Sequence, residues 1–430
     1  MSFKHVCVIG LGYIGLPTAA VIAQQGMKVT GVDTSSQIVD KVNSGGIHIA
    51  EQDLDCLVHE VVKNGFLSAS LTPVEADVFI IAVPTPFKKN HKPDLNHIES
   101  AAQAIIPFLK SDSLIILEST SPVGTTEQLE QWLYEARPDL KATKSLSLAY
   151  CPERVLPGKI LQELVENDRI VGGVNEAASL KAQAFYRKFC QGEILVTDAR
   201  TAEMTKLSEN AFRDVSIAFA NELANICDTL NINVWELIRL ANHHPRVNIL
   251  QPGPGVGGHC IAVDPWFIVD SAPNEAQLIR TARQINDARP EKVVNAILKV
   301  LETNPQASIA CLGLAFKPNV GDLRESPAMT IVKSLAKRVN NSIAVAEPFI
   351  TELPPQLQSY LNVQWMDFAA AINSSQIVVV LVNHDEFLLV DPAVLKQKIV
   401  IDTRGCYQKH FNVWKELGDE HGNTERIDVS

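Results

Sequence analysis

The sequence predicts an α/β protein in which two Rossmann-like, doubly wound domains are joined by a helical middle domain with one long helix. Three observations predict it: short β-branched runs alternating with helical patterns over the first half, an unbroken helical periodicity beginning near Thr201, and a return of the alternation after Glu302. In the first half His5–Gly10, Lys28–Val32, Asp77–Val83, Leu114–Leu117, Ser147–Tyr150 and Ile194–Thr197 read as strands, and such alternation predicts a parallel sheet covered by helices. From Thr201 onward Met204, Leu207, Ala211, Val215, Ala218, Phe219 and Leu223 recur with a period of about 3.6 and few breakers, which predicts one long helix as the spine of a middle domain. Glu302-Thr-Asn-Pro-Gln-Ala307 collects a proline and polar residues after a helical stretch ending near Leu301, and reads as a linker. Strands resume at Ser308–Leu314, Ser342–Ala346, Ile377–Val382 and Lys398–Asp402. The expected boundaries are 1–198, 199–301 and 302–430, two nucleotide-type sheets flanking a helical middle and leaving a cleft between them.

Length and composition agree with that division. At 430 residues the chain exceeds what one hydrophobic core supports, and a 46% hydrophobic, 20% charged composition describes a globular chain rather than a disordered one. A net charge of -11 would repel a polyphosphate backbone, which argues against nucleic acid as a partner. No apolar run reaches the roughly 20 residues of a spanning helix. Met1-Ser-Phe-Lys-His5 runs directly into a strand and leaves no room for a signal peptide, so a cytoplasmic protein without a membrane partner is expected. The cysteines Cys7, Cys56, Cys151, Cys190, Cys227, Cys260, Cys311 and Cys406 are scattered, with no CxxC pair and no metal-ligand spacing. Neither disulfides nor a metal is expected, and a reactive thiol must be picked out by its surroundings.

The first such surroundings belong to a phosphate site. Val6-Cys-Val-Ile-Gly10-Leu-Gly12-Tyr-Ile-Gly15 is a buried strand entering a GxGxxG turn, with a helix from Pro17 onward. Gly10 permits the tight turn, Gly12 lets the backbone approach a pyrophosphate, Gly15 permits close helix packing, and the helix N-terminus faces the anion. GxGxxG alone also occurs in ordinary strand-to-helix turns. Asp33, ending the next strand, decides the matter: it can accept from both ribose hydroxyls and would repel a 2′-phosphate, which selects NAD over NADP.

A second unusual stretch is Gln251-Pro-Gly-Pro-Gly-Val-Gly-Gly-His-Cys260-Ile-Ala-Val-Asp264-Pro, which crowds glycines and prolines before a single cysteine and sets an acid four residues later. Such a loop allows positive φ and close ligand approach, and a thiol held on it can act as a nucleophile. An NAD enzyme has use for one. An alcohol gives up a hydride readily, but the aldehyde product has none to give until something adds to its carbonyl; a thiolate adds well, and the thiohemiacetal loses a second hydride to become a thioester that water hydrolyses. The alternative for Cys260 is a buried structural thiol, the reading that suits the other cysteines. Lys206 and Asn210 lie four apart on the long helix and share a face, where they can hold a water or an oxyanion, although such pairs are commonly just solvated.

Together these motifs resemble the UDP-glucose/GDP-mannose dehydrogenase family, and within it the branch acting on UDP-N-acetyl-D-mannosamine. The likeness covers nearly the whole chain: GLGYIGLPTAA at the start, AVPTPF at 82–87, ESTSPVGT at 118–125, AYCPERVLPG at 149–158, INVWELIRLAN at 232–242, HPRVNILQPGPGVGGHCIAVDPWFIV at 244–269, and GLAFKPN with DLRESPA at 313–328. The resemblance implies that Cys260 is the nucleophile, that Lys206 and Asp264 with a bound water handle protons and the oxyanion, and that Asn210 steadies the same region. Thr120 and Glu153 match positions around the catalytic water, with Glu153 a base for thioester hydrolysis. Tyr13, Ile14, Pro84, Thr85, Thr120 and Arg324 join Gly10, Gly12, Gly15 and Asp33 in the cofactor site. Lys317 and Arg404 bind the sugar nucleotide, with Arg154, Asn248, Gly257 and Phe316 beside them, and Arg246 reaches the substrate of a neighbouring subunit. The implied enzyme is a homo-oligomer, at least a dimer, in which 1–198 binds NAD, 199–301 dimerises and carries the cysteine loop, and 302–430 binds the UDP-sugar, its uridine nucleotide anchored through Lys317 on a loop following a strand. It oxidises C6 to a carboxylate with two NADH, toward a surface polysaccharide.

Two departures bear on the sugar. Pro157 stands where the UDP-glucose branch often carries a glutamate, and Ile261-Ala-Val replaces a more polar stretch, which favours a substituted sugar. UDP-N-acetylglucosamine and UDP-glucose remain open as substrates. Two other classes stay open as well: a two-electron hydroxy-acid or sugar-acid dehydrogenase in which Cys260 is incidental, and a non-catalytic NAD-binding regulator, disfavoured because Lys206, Asn210, Cys260 and Asp264 occur together.

Overall fold

The computed structural model describes residues 3–49, 51–88, 91–156, 158–258 and 260–407, so the Pro157 departure lies outside the described residues. The chain divides into two compact units, 1–209 with 266–273, and 210–265 with 274–430.

The first unit is built on an eight-stranded sheet of order β3-β2-β1-β4-β5-β6-β7-β8. Its strands are β1 (His5–Ile9), β2 (Lys28–Val32), β3 (Leu67–Ser70), β4 (Val78–Ile81), β5 (Leu114–Leu117), β6 (Ser147–Tyr150), β7 (Arg169–Gly173) and β8 (Ile194–Asp198). All neighbours run parallel except β6 and β7. Along β1, Val6 and Val8 enter one apolar cluster while Cys7 and Ile9 enter another, so both faces of the sheet are covered, as a parallel sheet requires. The sequence reading missed β3 and β7. Leu-Ser-Ala-Ser has no β-branched residue and Arg-Ile-Val-Gly-Gly ends on two glycines, so pairing with neighbours rather than composition makes them strands.

The second unit holds a five-stranded parallel sheet of order β11-β10-β9-β12-β13, formed by β9 (Ile309–Leu312), β10 (Ile343–Ala346), β11 (Val363–Trp365), β12 (Ile377–Val380) and β13 (Ile399–Asp402). Ile309 and Cys311 pack on one face, Ala310 and Leu312 on the other. The three-residue β11 is too short to announce itself in sequence.

The expected long helix runs over Ala199–Leu230, and is followed by Val234–Ala241, Asp264–Ser271 and Gln277–Thr303. Two details differ from expectation. Glu302 and Thr303 finish the last helix instead of starting a linker, and Met204 and Phe219 lie on the exposed side of the long helix. In the second unit the long helix and Gln277–Thr303 are joined by charge: Arg283 and Asp214, both fully buried, pair at 2.6 Å, and Asn286 donates to the same carboxylate oxygen at 2.8 Å. A charge this deep is tolerable only when paired and hydrogen-bonded. Among the described residues no helix is long and apolar enough to cross a membrane.

The last two glycines of the first turn answer different demands. A Cβ on Gly15 would collide with the carbonyl of Gly10, whereas one on Gly12 meets open space. Gly15→Ala is therefore expected to destabilise the fold by about 2 kcal/mol or more, read from the denaturant midpoint. Gly12→Ala should leave that midpoint in place and weaken dinucleotide binding about tenfold in titration calorimetry.

Candidate active site

In the first unit the chain must turn sharply between β1 and the helix Gly15–Gln24. Gly10 does so at φ +94°, a left-handed value that favours glycine, and a Cβ there would stand 2.6 Å from the carbonyl oxygen of Ala82. The Gly10 amide donates to Val32 O at 2.8 Å, and the next amide, Leu11, donates to Asp33 Oδ2 at 3.1 Å. Asp33 Oδ1 accepts from Ser35 N at 2.9 Å, and the residue stays partly exposed at the end of β2. Tyr13 is exposed and Ile14 half-buried on the same turn.

The turns after β4 and β5 are stitched together beside it. Ser119 Oγ donates to Val83 O at 2.7 Å and accepts from Val83 N at 2.9 Å, and Thr85 Oγ1 donates to Thr120 O at 2.5 Å. Pro84, Thr85 and Thr120 thus meet near the point where strand order reverses between β1 and β4, the usual ligand crevice of an open α/β sheet. The open space at Gly12, the helix N-terminus and the partly exposed Asp33 suit the pyrophosphate and ribose of a dinucleotide.

Glu153 follows β6 and carries an ion pair to buried Arg169 at 3.2 Å, while its Oε1 accepts from Arg154 N at 2.7 Å. Arg154 itself pairs with Glu209 at 2.8 Å. Behind them lies a group that sequence reasoning missed. Glu118 is buried, with Oε1 accepting from Tyr186 OH at 2.6 Å, and Arg169 packs over the Tyr186 ring at 4.9 Å and donates to Cys151 Sγ at 3.8 Å. Burial pushes the Glu118 carboxyl up to about 7, against the pull of the Arg169 charge. The available signal was its place, a carboxylate directly continuing the buried run Leu-Ile-Ile-Leu. Beyond Asp264, Trp266 stacks on His91 at 4.2 Å, a contact equally invisible in sequence.

In the second unit the glycine-rich loop is clasped at its start and packed along its length. Gly253 N donates to Asn221 Oδ1 at 2.9 Å and Gly253 O accepts from Arg289 Nε at 2.9 Å. A Cβ on Gly253 would collide with Nη1 of Arg404, whose guanidinium donates to Asn383 Oδ1 at 2.9 and 3.1 Å. A Cβ on Gly258, at φ +85°, would press on the Phe316 ring at 2.9 Å, and one on Gly257 would collide with the Glu325 carbonyl. Glycine here is what lets the loop lie flat against Phe316 and Pro327. Lys317 Nζ sits 5.8 Å from the Phe316 ring centre.

After Cys260 the chain closes a tight turn, with the amides of Val263 and Asp264 donating to Cys260 O at 3.0 and 2.9 Å. Asp264 is buried at the start of its helix, and Asn210 Nδ2 donates to its Oδ2 at 2.5 Å. Half-buried Lys206 lies one turn before Asn210. Ile261 and Ala262 are partly exposed beside the half-buried Cys260. Arg246 and Asn248, by contrast, are exposed on the turn after Ala241, and Arg324 is held by Asp322 at 2.6 Å. Among the described residues no group of three His, Cys, Asp or Glu side chains is placed to hold a metal ion.

A raised acid has a definite pH signature. Glu118 ionises near 4.5 when unfolded and at about 7 when folded, so its contribution is fully present below pH 4.5 and is lost as pH rises toward 7. Chemical denaturation of Glu118→Gln should show a stability gain over wild type that is absent at acid pH and grows to as much as about 3 kcal/mol above neutrality. A gap independent of pH would contradict a proton on Glu118.

Residues 4–190 match the NAD binding domain of the UDP-glucose/GDP-mannose dehydrogenase family, 200–288 its central domain and 310–409 its UDP binding domain. A UDP-N-acetyl-D-mannosamine dehydrogenase of Campylobacter jejuni is 57% identical over 394 residues, covering 90% of this chain and 97% of the relative. An NDP-N-acetyl-D-galactosaminuronic acid dehydrogenase of Ralstonia nicotianae is 54% identical over 413 residues, covering 95% of this chain and 97% of the relative. The solved UDP-D-ManNAc dehydrogenase of Pyrococcus horikoshii superposes with a TM-score of 0.83 at 38% identity, covering 94% of this chain and 96% of that one. Domains matched in unbroken order, and likeness over nearly the full length, leave one assignment: the chain belongs to the UDP-glucose/GDP-mannose dehydrogenase family and is an NAD-dependent UDP-sugar dehydrogenase acting on a CH–OH group.

Proposed function

We propose that the chain oxidises C6 of UDP-N-acetyl-D-mannosamine twice, to UDP-N-acetyl-D-mannosaminuronic acid, in the cytoplasm and toward a bacterial surface polysaccharide. The glycine turn with Asp33, Thr85 and Thr120 would hold NAD, which would supply the hydride acceptor for each oxidation. The first oxidation leaves an aldehyde, which has no second hydride to release until its carbonyl carbon gains a new bond. Cys260 sulfur forms that bond as the C=O π bond opens, and Lys206 with Asn210 meets the charge developing on oxygen. Departure of the second hydride converts the thiohemiacetal to a thioester. Water then attacks the acyl carbon while Glu153 takes its proton, the C–S bond breaks, and Cys260 leaves as the thiolate.

The observation that carries this reading is the Asn210–Asp264 bond at 2.5 Å together with the Asp264 amide on the Cys260 carbonyl. It ties the cysteine turn to the long helix at Asn210, which fixes the backbone that carries the proposed nucleophile. Lys317, Phe316 and Arg404 are assigned to the uridine nucleotide and Arg324 to the cofactor. A second reading, an N-acetylgalactosamine nucleotide as substrate, draws support from the Ralstonia relative at 54% identity.

A homodimer built on the long helix belongs to the same proposal. Phe212, Phe219 and Ile226 recur every seven residues and are 75%, 52% and 46% exposed among the described residues, one apolar face suited to a second copy of the helix. Arg246, exposed nearby in sequence, is assigned to the partner's substrate site.

Parallel assays with UDP-ManNAc, UDP-GalNAc, UDP-GlcNAc and UDP-Glc should show two NADH per sugar and the highest kcat/KM for UDP-ManNAc; one NADH per sugar ends the mechanism. Cys260→Ser should lose at least about 1000-fold in kcat. Introducing Phe212→Glu with Phe219→Glu should give a monomer in sedimentation and remove activity at assay concentration, whereas an active monomer would refute the assigned role of Arg246.

A further inference from the structure

The two sheets begin with the same turn and then treat it differently. In the first, Gly10 N bonds the last residue of β2, and Leu11 N bonds Asp33, the acid immediately after β2. In the second, Gly313 N bonds Ala346 O at 2.8 Å, and Leu314 N bonds Glu347 Oε2, the acid immediately after β10, at 2.7 Å. Asp33 stays partly exposed, whereas Glu347 is buried and its Oε2 also accepts from Ala315 N at 2.9 Å and His384 Nε2 at 3.1 Å. The acid that can face a ribose in one domain is sealed over by a histidine in the other.

His384 completes a clamp. Its Nδ1 accepts from Asn319 N at 3.0 Å, and because an amide can only donate, the ring proton sits on Nε2 and points at Glu347. Asn319, at φ +61°, is further held by paired bonds with Asp385, Nδ2 to Oδ2 at 2.9 Å and Asp385 N to Oδ1 at 3.1 Å. The ring is wedged between Phe349 and Phe387, with centroids at 5.3 and 5.2 Å. Glu347 therefore pins the chain at Leu314 and Ala315, His384 pins it at Asn319, and Phe316 and Lys317 lie between the two anchors.

We propose that the buried Glu347–His384 pair is a positioning pair for the uridine-nucleotide loop: the carboxylate and imidazole set the backbone that presents Phe316 and Lys317 and at the same time withdraw the strand-end acid from ribose, so that this domain no longer reads a nucleotide as the first one does. The proposal rests on the assignment of Lys317 to the sugar nucleotide. Its physical basis is that a buried carboxylate needs several donors, and removing the imidazole leaves both Glu347 and the Asn319 amide short of a partner.

The test uses the full-length enzyme, with UDP as titrant in calorimetry and steady-state assays varying UDP-sugar and NAD separately. His384→Gln keeps an acceptor for Asn319 and a donor for Glu347, and should hold the Kd for UDP within about threefold of wild type. His384→Phe keeps the ring volume without either bond, and should raise that Kd and the KM for UDP-sugar about tenfold, with NAD affinity and kcat little changed. Equal loss with both variants, a parallel loss of NAD affinity, or unchanged UDP binding by His384→Phe overturns the clamp. Should His384→Phe be insoluble, Glu347→Gln must raise the UDP Kd at least about threefold, and no change overturns the clamp equally. Lys317→Ala separates the two levels: if it weakens UDP binding and His384→Phe does not, the clamp alone falls; if it leaves UDP binding unchanged, the assignment of Lys317 falls and takes the clamp with it.

Discussion

A parallel sheet ends in loops whose first amides have no partner within the sheet, and the functional parts of this chain follow from how those amides are satisfied. Acids and hydroxyls at strand ends do the work. Asp33 takes Leu11 N, Ser119 takes Val83 N, Glu347 takes Leu314 and Ala315, and Asp402 takes Arg404 and Tyr407. Each bond fixes a turn in the crevice region where ligands of open α/β sheets sit. In the same way Glu203, on the long helix, accepts from Gly124 N and Thr126 N and caps the helix that follows β5.

The cysteine loop obeys a different constraint, close approach. Side chains are absent at Gly253, Gly257 and Gly258 because Arg404, Glu325 and Phe316 occupy the space they would fill. The loop gains rigidity from neighbours rather than from regular structure, and the tight turn onto Asp264 carries that rigidity through Cys260. A side chain on a backbone held this way has little conformational freedom left to lose.

Buried charge marks the remaining machinery. Glu118 and Glu153 share the single guanidinium of Arg169, so at most one full negative charge is balanced in that pocket, and the deeper carboxyl is the one whose ionisation burial opposes. The Asp214–Arg283–Asn286 cluster solves a comparable problem between two helices, and reaches the cysteine loop through Asn221 and Gly253.

Sequence alone determined the α/β architecture, the glycine turn with Asp33, the long helix and the glycine-rich setting of Cys260, because these are encoded in local periodicity and in residue types whose backbone demands are unmistakable. It did not reveal β3, β7 or β11, whose strand character comes from pairing, nor the antiparallel step between β6 and β7. It placed Phe219 in an apolar run without knowing that the residue faces outward. The partnerships of Asn210 with Asp264, Glu118 with Tyr186 and Glu347 with His384 span sequence separations of 54, 68 and 37 residues, and no local pattern predicts them. Only the tertiary structure decided which of the two strand-end acids stays partly exposed and which is sealed, since that depends on whether a distant imidazole is folded over it.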